Sequence, residues 1–236
     1  KHQDKLAAYQ VHVAKVLELG GATPEDANKQ AKGVVAFEAR LAKAWKSREQ
    51  LSRDVSLYYN PVSPAEADEL TPNFSWTKFF ESQKVAVPAK FSLAVPDFHK
   101  EVSKMIGELP ADQWKAYLRF HAIDGASPYL SDAFVNESFN FYNKALRGQK
   151  ELKERGKRVL DTIEGQTGEA MGQLYVKVAF TPESKERMQG LVKNLSEALK
   201  ARIENLAWMS DETKAKALTK MAAFTPKIGY PDKWRD

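Results

Sequence analysis

The sequence contains no cysteine. This absence excludes a disulfide framework, a thiolate metal site and a cysteine nucleophile. It leaves the redox compartment open, because a chain of 236 residues can bury enough surface to fold without disulfides. The sequence also has no run of about 18 consecutive apolar residues, so it predicts no membrane-spanning helix in this chain.

Motifs of the common enzyme classes are also absent. The sequence has no His-Glu-x-x-His zinc motif, no Gly-x-Ser-x-Gly nucleophile elbow and no Gly-x-x-x-x-Gly-Lys-Ser/Thr phosphate loop. A hydrolytic zinc site needs two imidazoles one helical turn apart, a third ligand and a carboxylate that activates water. The histidines do not have this spacing: His2, His12, His99 and His121. We therefore predict no catalytic residue, no metal ligand and no cofactor in this chain, and we assign no substrate-binding residue.

Two further features have both a structural and a functional interpretation. His121 lies on an aromatic helix face, which favours a packed, hydrogen-bonded core histidine over a functional one. Gly165, Gly168 and Gly172 have the spacing of a phosphate-contacting loop, but no strand precedes them as such a loop requires. We therefore interpret the three glycines as a helix break or a close helix–helix contact.

Charged residues give the chain a net charge of +5, from 36 basic and 31 acidic side chains. Much of the excess lies in residues 144–158, here called the basic stretch. We interpret it as a solvated helix face supported by the ion pairs Glu151–Arg155 and Glu154–Arg158. The alternative is a stand-alone helical binding module that uses the basic stretch for an anionic partner. No aromatic residue lies in the stretch to stack on bases, so we expect no nucleic-acid partner.

Helical periodicity dominates the remaining sequence. Capping side chains, most of them followed by proline or acidic residues, indicate several helix starts: Thr23, Ser63, Ser75 or Thr77, Thr181 and Ser210. The longest predicted helix runs from Thr181 to Trp208 and carries an apolar stripe on one face. One short strand is predicted within residues 85–95, without an obvious partner strand. The sequence therefore predicts a mainly α fold, a multi-helix domain with long packed helices and at most one or two short strands.

The domain organisation is less sharply marked. No internal repeat and no low-complexity linker is present in residues 1–236. We place a sub-boundary near residues 96–110, where irregular, aromatic-rich sequence gives way to long helices. The chain begins at Lys1 without an initiator methionine or the apolar core of a signal peptide, so we expect that its N-terminus was cut.

Several short sequence blocks follow one another in an order and spacing that resemble those of a known protein family. They are Trp114-Lys-Ala-Tyr-Leu-Arg-Phe120, Pro128-Tyr-Leu-Ser131, Phe139-Asn-Phe-Tyr-Asn-Lys-Ala-Leu-Arg-Gly148, Gly172-Gln-Leu-Tyr-Val176 with Phe180, Trp208-Met-Ser210 and Ile228-Gly-Tyr-Pro-Asp-Lys-Trp234. Weaker blocks precede them in the first hundred residues, at Leu41-Ala-Lys-Ala-Trp45 and Leu57-Tyr-Tyr-Asn60. Together these blocks resemble the N-terminal, largely helical region of the neprilysin family of zinc metallopeptidases.

The resemblance implies a fold and a role. Members of the family have a thermolysin-like catalytic part, which carries His-Glu-x-x-His and a downstream Glu-x-x-x-Asp, and a helical part that caps a closed chamber. Residues 1–236 correspond to the helical cap, which restricts substrates to peptides. The resemblance thus implies a non-catalytic fragment of a zinc metalloendopeptidase, with zinc in the parent protein. Its implied partners are its own catalytic domain and the peptide substrates of the parent.

The departures from the family pattern carry further expectations. The family's Asn-Ala-x-Tyr segment, which holds the substrate backbone, and the catalytic zinc domain are expected beyond Asp236. Animal members contain disulfide-bonded cysteines, so the cysteine-free chain is identified as a bacterial member, periplasmic or secreted, with the cytoplasm as the alternative. A face severed from the catalytic domain should expose an apolar patch, and we expect dimerisation through that face.

Overall fold

The computed structural model describes residues 3–235, so Lys1, His2 and Asp236 lie outside the described residues. The contacts divide the chain into two compact units, with the division between Leu152 and Lys153. The sub-boundary that the sequence places near residues 96–110 does not coincide with this division. The helix within that segment (Pro96–Glu108) and the helix after it (Ala111–Ala126) both pack on the second helix of the chain (Pro24–Ala44), and all three belong to the same unit.

The first unit, unit 1, is built mainly from helices. Its elements are α1 (Gln3–Leu19), α2 (Pro24–Ala44), α3 (Arg48–Arg53), a 3₁₀ turn (Val55–Leu57), β1 (Pro61–Val62), α4 (Pro64–Leu70), α5 (Trp76–Ser82), β2 (Phe91–Ser92), α6 (Pro96–Glu108), α7 (Ala111–Ala126), a second 3₁₀ turn (Ser127–Tyr129), α8 (Asp132–Ser138) and a π-helix (Phe139–Ala145).

Local capping explains where several helices of unit 1 begin. The hydroxyl of Thr23 accepts a hydrogen bond from the backbone N–H of Asp26 at 3.2 Å, and proline occupies the first position of α2. At α4, Ser63 and Glu66 form a reciprocal capping box. At α5 the cap is one-sided, because the Ser75 hydroxyl accepts a hydrogen bond from the backbone N–H of Lys78. The helix starts predicted at these three capping residues are confirmed.

The core of unit 1 lies where α1, α2 and α7 meet. The buried side chains of this core are Val13, Val16 and Leu17 from α1, Ala27, Ala31 and Val34 from α2, and Phe120 from α7. Within each of the first two helices these residues recur at intervals of three or four, so they share one face. The small alanines of α2 allow α1 to approach closely, and the aromatic ring of Phe120 fills the space between them.

The two short strands of unit 1 form an antiparallel pair, with Pro61 opposite Ser92 and Val62 opposite Phe91. The strand predicted within residues 85–95 is therefore limited to two residues. The expectation that it has no partner in this chain is wrong, because β1 pairs with it. The pairing extends beyond the strands, since the hydroxyl of Ser92 donates to the Tyr58 carbonyl at 2.8 Å.

The second unit, unit 2, contains three helices: α9 (Arg155–Ala179), α10 (Pro182–Glu204) and α11 (Asp211–Ala222). Thr181 and Ser210 cap α10 and α11 as predicted. The helix predicted to reach Trp208 ends four residues earlier, at Glu204. A break in α9 lies at Thr167, whose φ of −130° and ψ of 33° are not helical, so the helix break predicted between the glycines is confirmed.

The mainly α fold predicted from the sequence is confirmed, with one two-stranded sheet in the described part of the chain. No helix in residues 3–235 is both long enough and apolar enough to cross a membrane.

Candidate functional site

The histidines are the first residues to consider, because they are the commonest zinc ligands. Both ring nitrogens of His12 face carboxylates, Nδ1 at 2.9 Å from Glu137 and Nε2 at 3.1 Å from Asp124. His99 packs edge-to-face on Trp76, with ring centroids 5.2 Å apart. Burial lowers the pKa of His99, against the effect of a hydrogen bond with the backbone of Ala94.

His121 is packed and hydrogen-bonded as predicted, but it is not a core residue. Its Nε2 lies 2.8 Å from Oε1 of Glu38, and its ring packs against Tyr117 and Phe120. The side chain is 44% exposed. The buried histidine is instead His12, which sequence reasoning missed. Its position next to Val13 on the inward face of α1 is the signal that could have identified it.

The described histidines are not arranged as the ligands of a zinc ion. In residues 3–235 the structure contains no group of three or more histidine, cysteine, aspartate or glutamate side chains that could hold a metal. The nitrogens of His12 point at two carboxylates that already accept from them, and His121 points at Glu38. A catalytic zinc site needs three protein ligands around one open position, and the described side chains do not provide this arrangement.

The basic stretch is not the single helix face that the sequence predicts. The π-helix ends at Ala145 and a short helical turn ends before Gly148, whose φ is 73°; the chain is then irregular until α9 begins at Arg155. The predicted pairs from Glu151 and Glu154 therefore do not lie along one helix. Other ion pairs form in unit 2, including Lys153 Nζ with Asp161 at 2.7 Å. The stretch also passes from unit 1 into unit 2.

Unit 2 has an unusual distribution of apolar side chains. Of residues 153–235, which the structure describes, none is buried. One face of α10 carries large exposed apolar residues at intervals of three or four, and we call it the α10 stripe: Met188, Leu191, Leu195 and Leu199. On α9 the side chains of Leu174, Tyr175 and Val178 are also exposed, Val178 to 87%. Apolar surface arranged in this manner marks an interaction site.

A groove between α10 and α11 continues this apolar character. It has a volume of about 450 Å³ and is lined mainly by apolar side chains, which include Leu199, Ile203, Ala217, Met221, Phe224 and Pro226. Leu199 belongs to both the groove and the α10 stripe. Apolar side chains from another polypeptide segment would fit the groove, whereas it offers few polar groups that could orient a small ligand.

The C-terminal segment, residues 228–235, packs on the rest of unit 2. The ammonium of Lys185 donates to the Tyr230 carbonyl at 2.8 Å and pairs with Asp232 at 2.6 Å. The ring of Trp234 lies close to Gly172: a Cβ atom on Gly172 would be 3.1 Å from this ring. Two of the sequence blocks, Gly172–Phe180 and Ile228–Trp234, therefore meet in space. The lack of a side chain at Gly172 permits this contact.

Comparison with known proteins places these observations in a family context. The sequence model of peptidase family M13 matches residues 1–231. A neutral endopeptidase of Lactobacillus helveticus is 31% identical over 221 residues, which cover 92% of this chain and 33% of that protein. Endothelin-converting enzyme-like 1 of Rattus norvegicus is 30% identical over 231 residues, 96% of this chain and 29% of that protein. The chain spans about a third of the length of these curated relatives.

Solved structures resemble the chain in fold as well. The crystal structure of the zinc metalloprotease ZMP1 of Mycobacterium tuberculosis, in complex with an inhibitor, is 34% identical with a TM-score of 0.89. The match covers 100% of this chain and 36% of that one. The crystal structure of PepO from Lactobacillus rhamnosis is 26% identical, with a TM-score of 0.84 and coverage of 98% and 36%. Each is similar to this chain over only a part of its own length.

Proposed function

The chain belongs to peptidase family M13, as the N-terminal region of a zinc metallopeptidase of that family, and we propose that it forms a helical cap over the active-site chamber. In this proposal the cap contributes no catalytic group. It encloses the chamber together with the catalytic domain, which the rest of the polypeptide provides. The enclosure admits peptides and excludes folded proteins, so the parent acts as an endopeptidase on peptides.

The observation that carries the proposal is the contrast between the two units. Unit 1 has a buried core, whereas the described residues of unit 2 include no buried side chain and expose the α10 stripe. A set of helices that buries so little apolar surface has little to offset its conformational entropy. We infer that the catalytic domain covers the α10 stripe and the groove between α10 and α11.

The long helices suit a wall better than a reaction centre. α10 has 23 residues, which at 1.5 Å per residue give a rod of about 35 Å, enough to cross a domain. The His-Glu-x-x-His motif of the family does not occur in residues 1–236, so in this proposal the catalytic domain holds the zinc.

A size-selectivity experiment tests the cap. In the complete protein, Leu191→Glu and Leu195→Glu together would place two charges on the α10 stripe and loosen the cap from the catalytic domain. Cleavage of a short fluorogenic peptide should continue, while a long unfolded protein substrate should be cleaved faster relative to the peptide. The control is Lys193→Glu, an exposed position on the same helix, which should leave the ratio of the two rates unchanged. An unchanged ratio in the double variant would contradict the cap.

We further place the protein outside the bacterial cytoplasm, in the periplasm or the medium, in line with the family resemblance. Cell fractionation of the source organism tests this location, and recovery of the protein in the cytoplasmic fraction alone would contradict it.

A further inference from the structure

One buried ionic cluster in unit 1 has no part in the proposed cap. Its centre is His12 of α1, which is only 1% exposed. Nδ1 of the ring lies 2.9 Å from Oε1 of Glu137 in α8, and Nε2 lies 3.1 Å from Oδ1 of Asp124 in α7. A neutral imidazole carries a proton on only one ring nitrogen, whereas an imidazolium carries one on both. The ring is therefore placed to donate to two carboxylates at once, which requires the charged form.

Aromatic rings close off this imidazole. Phe141 stacks on it, with centroids 4.5 Å apart and an interplanar angle of 12°. Tyr142 packs against it edge-on at 5.2 Å, and Phe120 does so from α7 at 6.1 Å. Phe141 and Tyr142 are consecutive residues of the π-helix, a rare geometry that occurs often at functional positions. The rings limit access of water, so an unpaired charge here would be costly.

The other titratable groups around the cluster are paired among themselves. The hydroxyl of Tyr142 donates to Oδ2 of Asp124 at 2.6 Å. Tyr9, on the same helix as the central histidine, donates to Glu38 of α2 at 2.9 Å. Glu38 also lies 2.8 Å from the half-exposed His121 of α7. Asp124 thus has a second donor from the π-helix, so the carboxylate of Glu137 is the one that depends most on the central imidazolium.

We propose that His12 is a proton-operated latch that holds residues 132–145, the latch segment, on α1 and α7. The latch segment comprises α8 and the π-helix. In the protonated state the imidazolium bridges Asp124 and Glu137 and so joins three helices. When the proton leaves, the ring donates to one carboxylate only. Glu137 then faces the lone pair of a neutral ring in a partly buried site, and the latch segment loosens from α1.

The direction of the pH dependence follows from the charges. Burial alone would lower the pKa of His12, but the hydrogen bonds to Asp124 and Glu137 outweigh burial and raise it above its ordinary value of 6.5. A raised pKa means that the stabilisation is complete below pH 6.5 and is lost as the pH rises through the pKa of the folded state. Asp124 behaves in the opposite sense. Burial raises its pKa, while the hydrogen bonds from His12 and Tyr142 lower it below 3.8, so its contribution is lost in acid.

The latch rests on unit 1 alone and does not depend on the cap. The first test is an NMR titration of the histidine side chains in the 236-residue chain. We expect His12 to titrate above pH 6.5 and His99, whose pKa burial lowers, to titrate below it. Glu137→Gln removes one charge but keeps an oxygen acceptor, so it should lower the pKa of His12. A His12 that titrates at or below pH 6.5, or that does not respond to Glu137→Gln, would overturn the proposal.

The second test measures the latch segment itself. Hydrogen exchange is measured at several pH values and corrected for the intrinsic exchange rate at each pH. As the pH rises through the folded-state pKa of His12, the protection of residues 132–145 should fall. The expected fall is about tenfold for each pH unit by which that pKa exceeds its ordinary value. Residues 24–44 of α2 serve as the internal reference. His12→Gln should remove this pH dependence. The matched control His121→Gln, which changes the half-exposed histidine of α7, should retain it. Equal pH dependence in His12→Gln and the unmodified chain would refute the latch.

Discussion

Truncation of a leucine should cost far more stability in the buried core of unit 1 than in the exposed α10 stripe of unit 2. Leu17 of α1 is 0% exposed and belongs to the core between α1, α2 and α7. Leu195 of the α10 stripe is 61% exposed. The substitutions Leu17→Ala and Leu195→Ala remove the same atoms from two helices, so they differ only in what surrounds those atoms.

The two costs can be calculated from these exposures. Leucine truncation at a fully buried site costs about 3–5 kcal/mol, because it removes transfer free energy and leaves a cavity. Complete burial of a leucine side chain is worth about 1.5–3 kcal/mol. With 61% of Leu195 exposed, its truncation in the isolated chain should cost about 1 kcal/mol or less. In the complete protein, where we propose that the catalytic domain covers the stripe, the same change should approach the cost at Leu17.

Urea unfolding followed by far-UV circular dichroism measures both free energies, and peptide-resolved hydrogen exchange assigns each transition to its unit. We expect a large loss for Leu17→Ala and a small one for Leu195→Ala in the isolated chain. Equal losses at the two positions in the isolated chain would refute the reasoning, because they would mean that unit 2 already buries its stripe.

Three further predictions follow from the structure. Gly172→Ala places a methyl group 3.1 Å from the Trp234 ring and should displace the C-terminal segment, which a change in tryptophan fluorescence would report. The control Gly168→Ala, whose added Cβ meets no atom within 4 Å, should leave the emission unchanged. The isolated chain should self-associate through the α10 stripe in sedimentation experiments, and Leu191→Glu with Leu195→Glu should shift it to monomer; a monomeric unmodified chain at high concentration would contradict this. The purified chain should show no peptide cleavage that a zinc chelator abolishes, and chelator-sensitive cleavage that copurifies with the chain would contradict the non-catalytic assignment.

The helix starts were predictable because their causes are local. The hydroxyls of Thr23, Ser63 and Thr181 each accept a hydrogen bond from the backbone three residues later. The sequence therefore contains both partners of each cap within one turn. The pairing of β1 with β2 was not predictable in this manner, since about 30 residues separate the strands and each is only two residues long.

The ionic cluster around His12 was not predictable either, because its members are even farther apart in sequence. Its carboxylate partners, Asp124 and Glu137, are 112 and 125 residues away in sequence. Sequence reasoning instead selected His121, whose aromatic neighbours lie within its own helix and give a visible pattern. Burial depends on which helices meet, and helical periodicity alone does not identify the partner helix.

The α10 stripe illustrates a third limit. Periodicity predicted an apolar face on this helix, and the structure has one. Periodicity does not say whether that face is covered, because a core helix and an interface helix have the same spacing of apolar residues. The prediction of one helix face in the basic stretch was wrong for a different reason: Gly148 has a left-handed φ of 73° and the chain stays irregular up to Glu154, so Glu151 lies outside α9.

The most direct test of the cap compares hydrogen exchange in the isolated chain with that in the complete protein. If the catalytic domain covers unit 2, residues 182–204 should exchange markedly more slowly in the complete protein, because the α10 stripe is then buried. Residues 24–44 of α2, which pack within unit 1, provide the reference and should exchange at similar rates in both. Equal exchange of residues 182–204 in the two proteins would contradict the proposal that this region caps a catalytic domain.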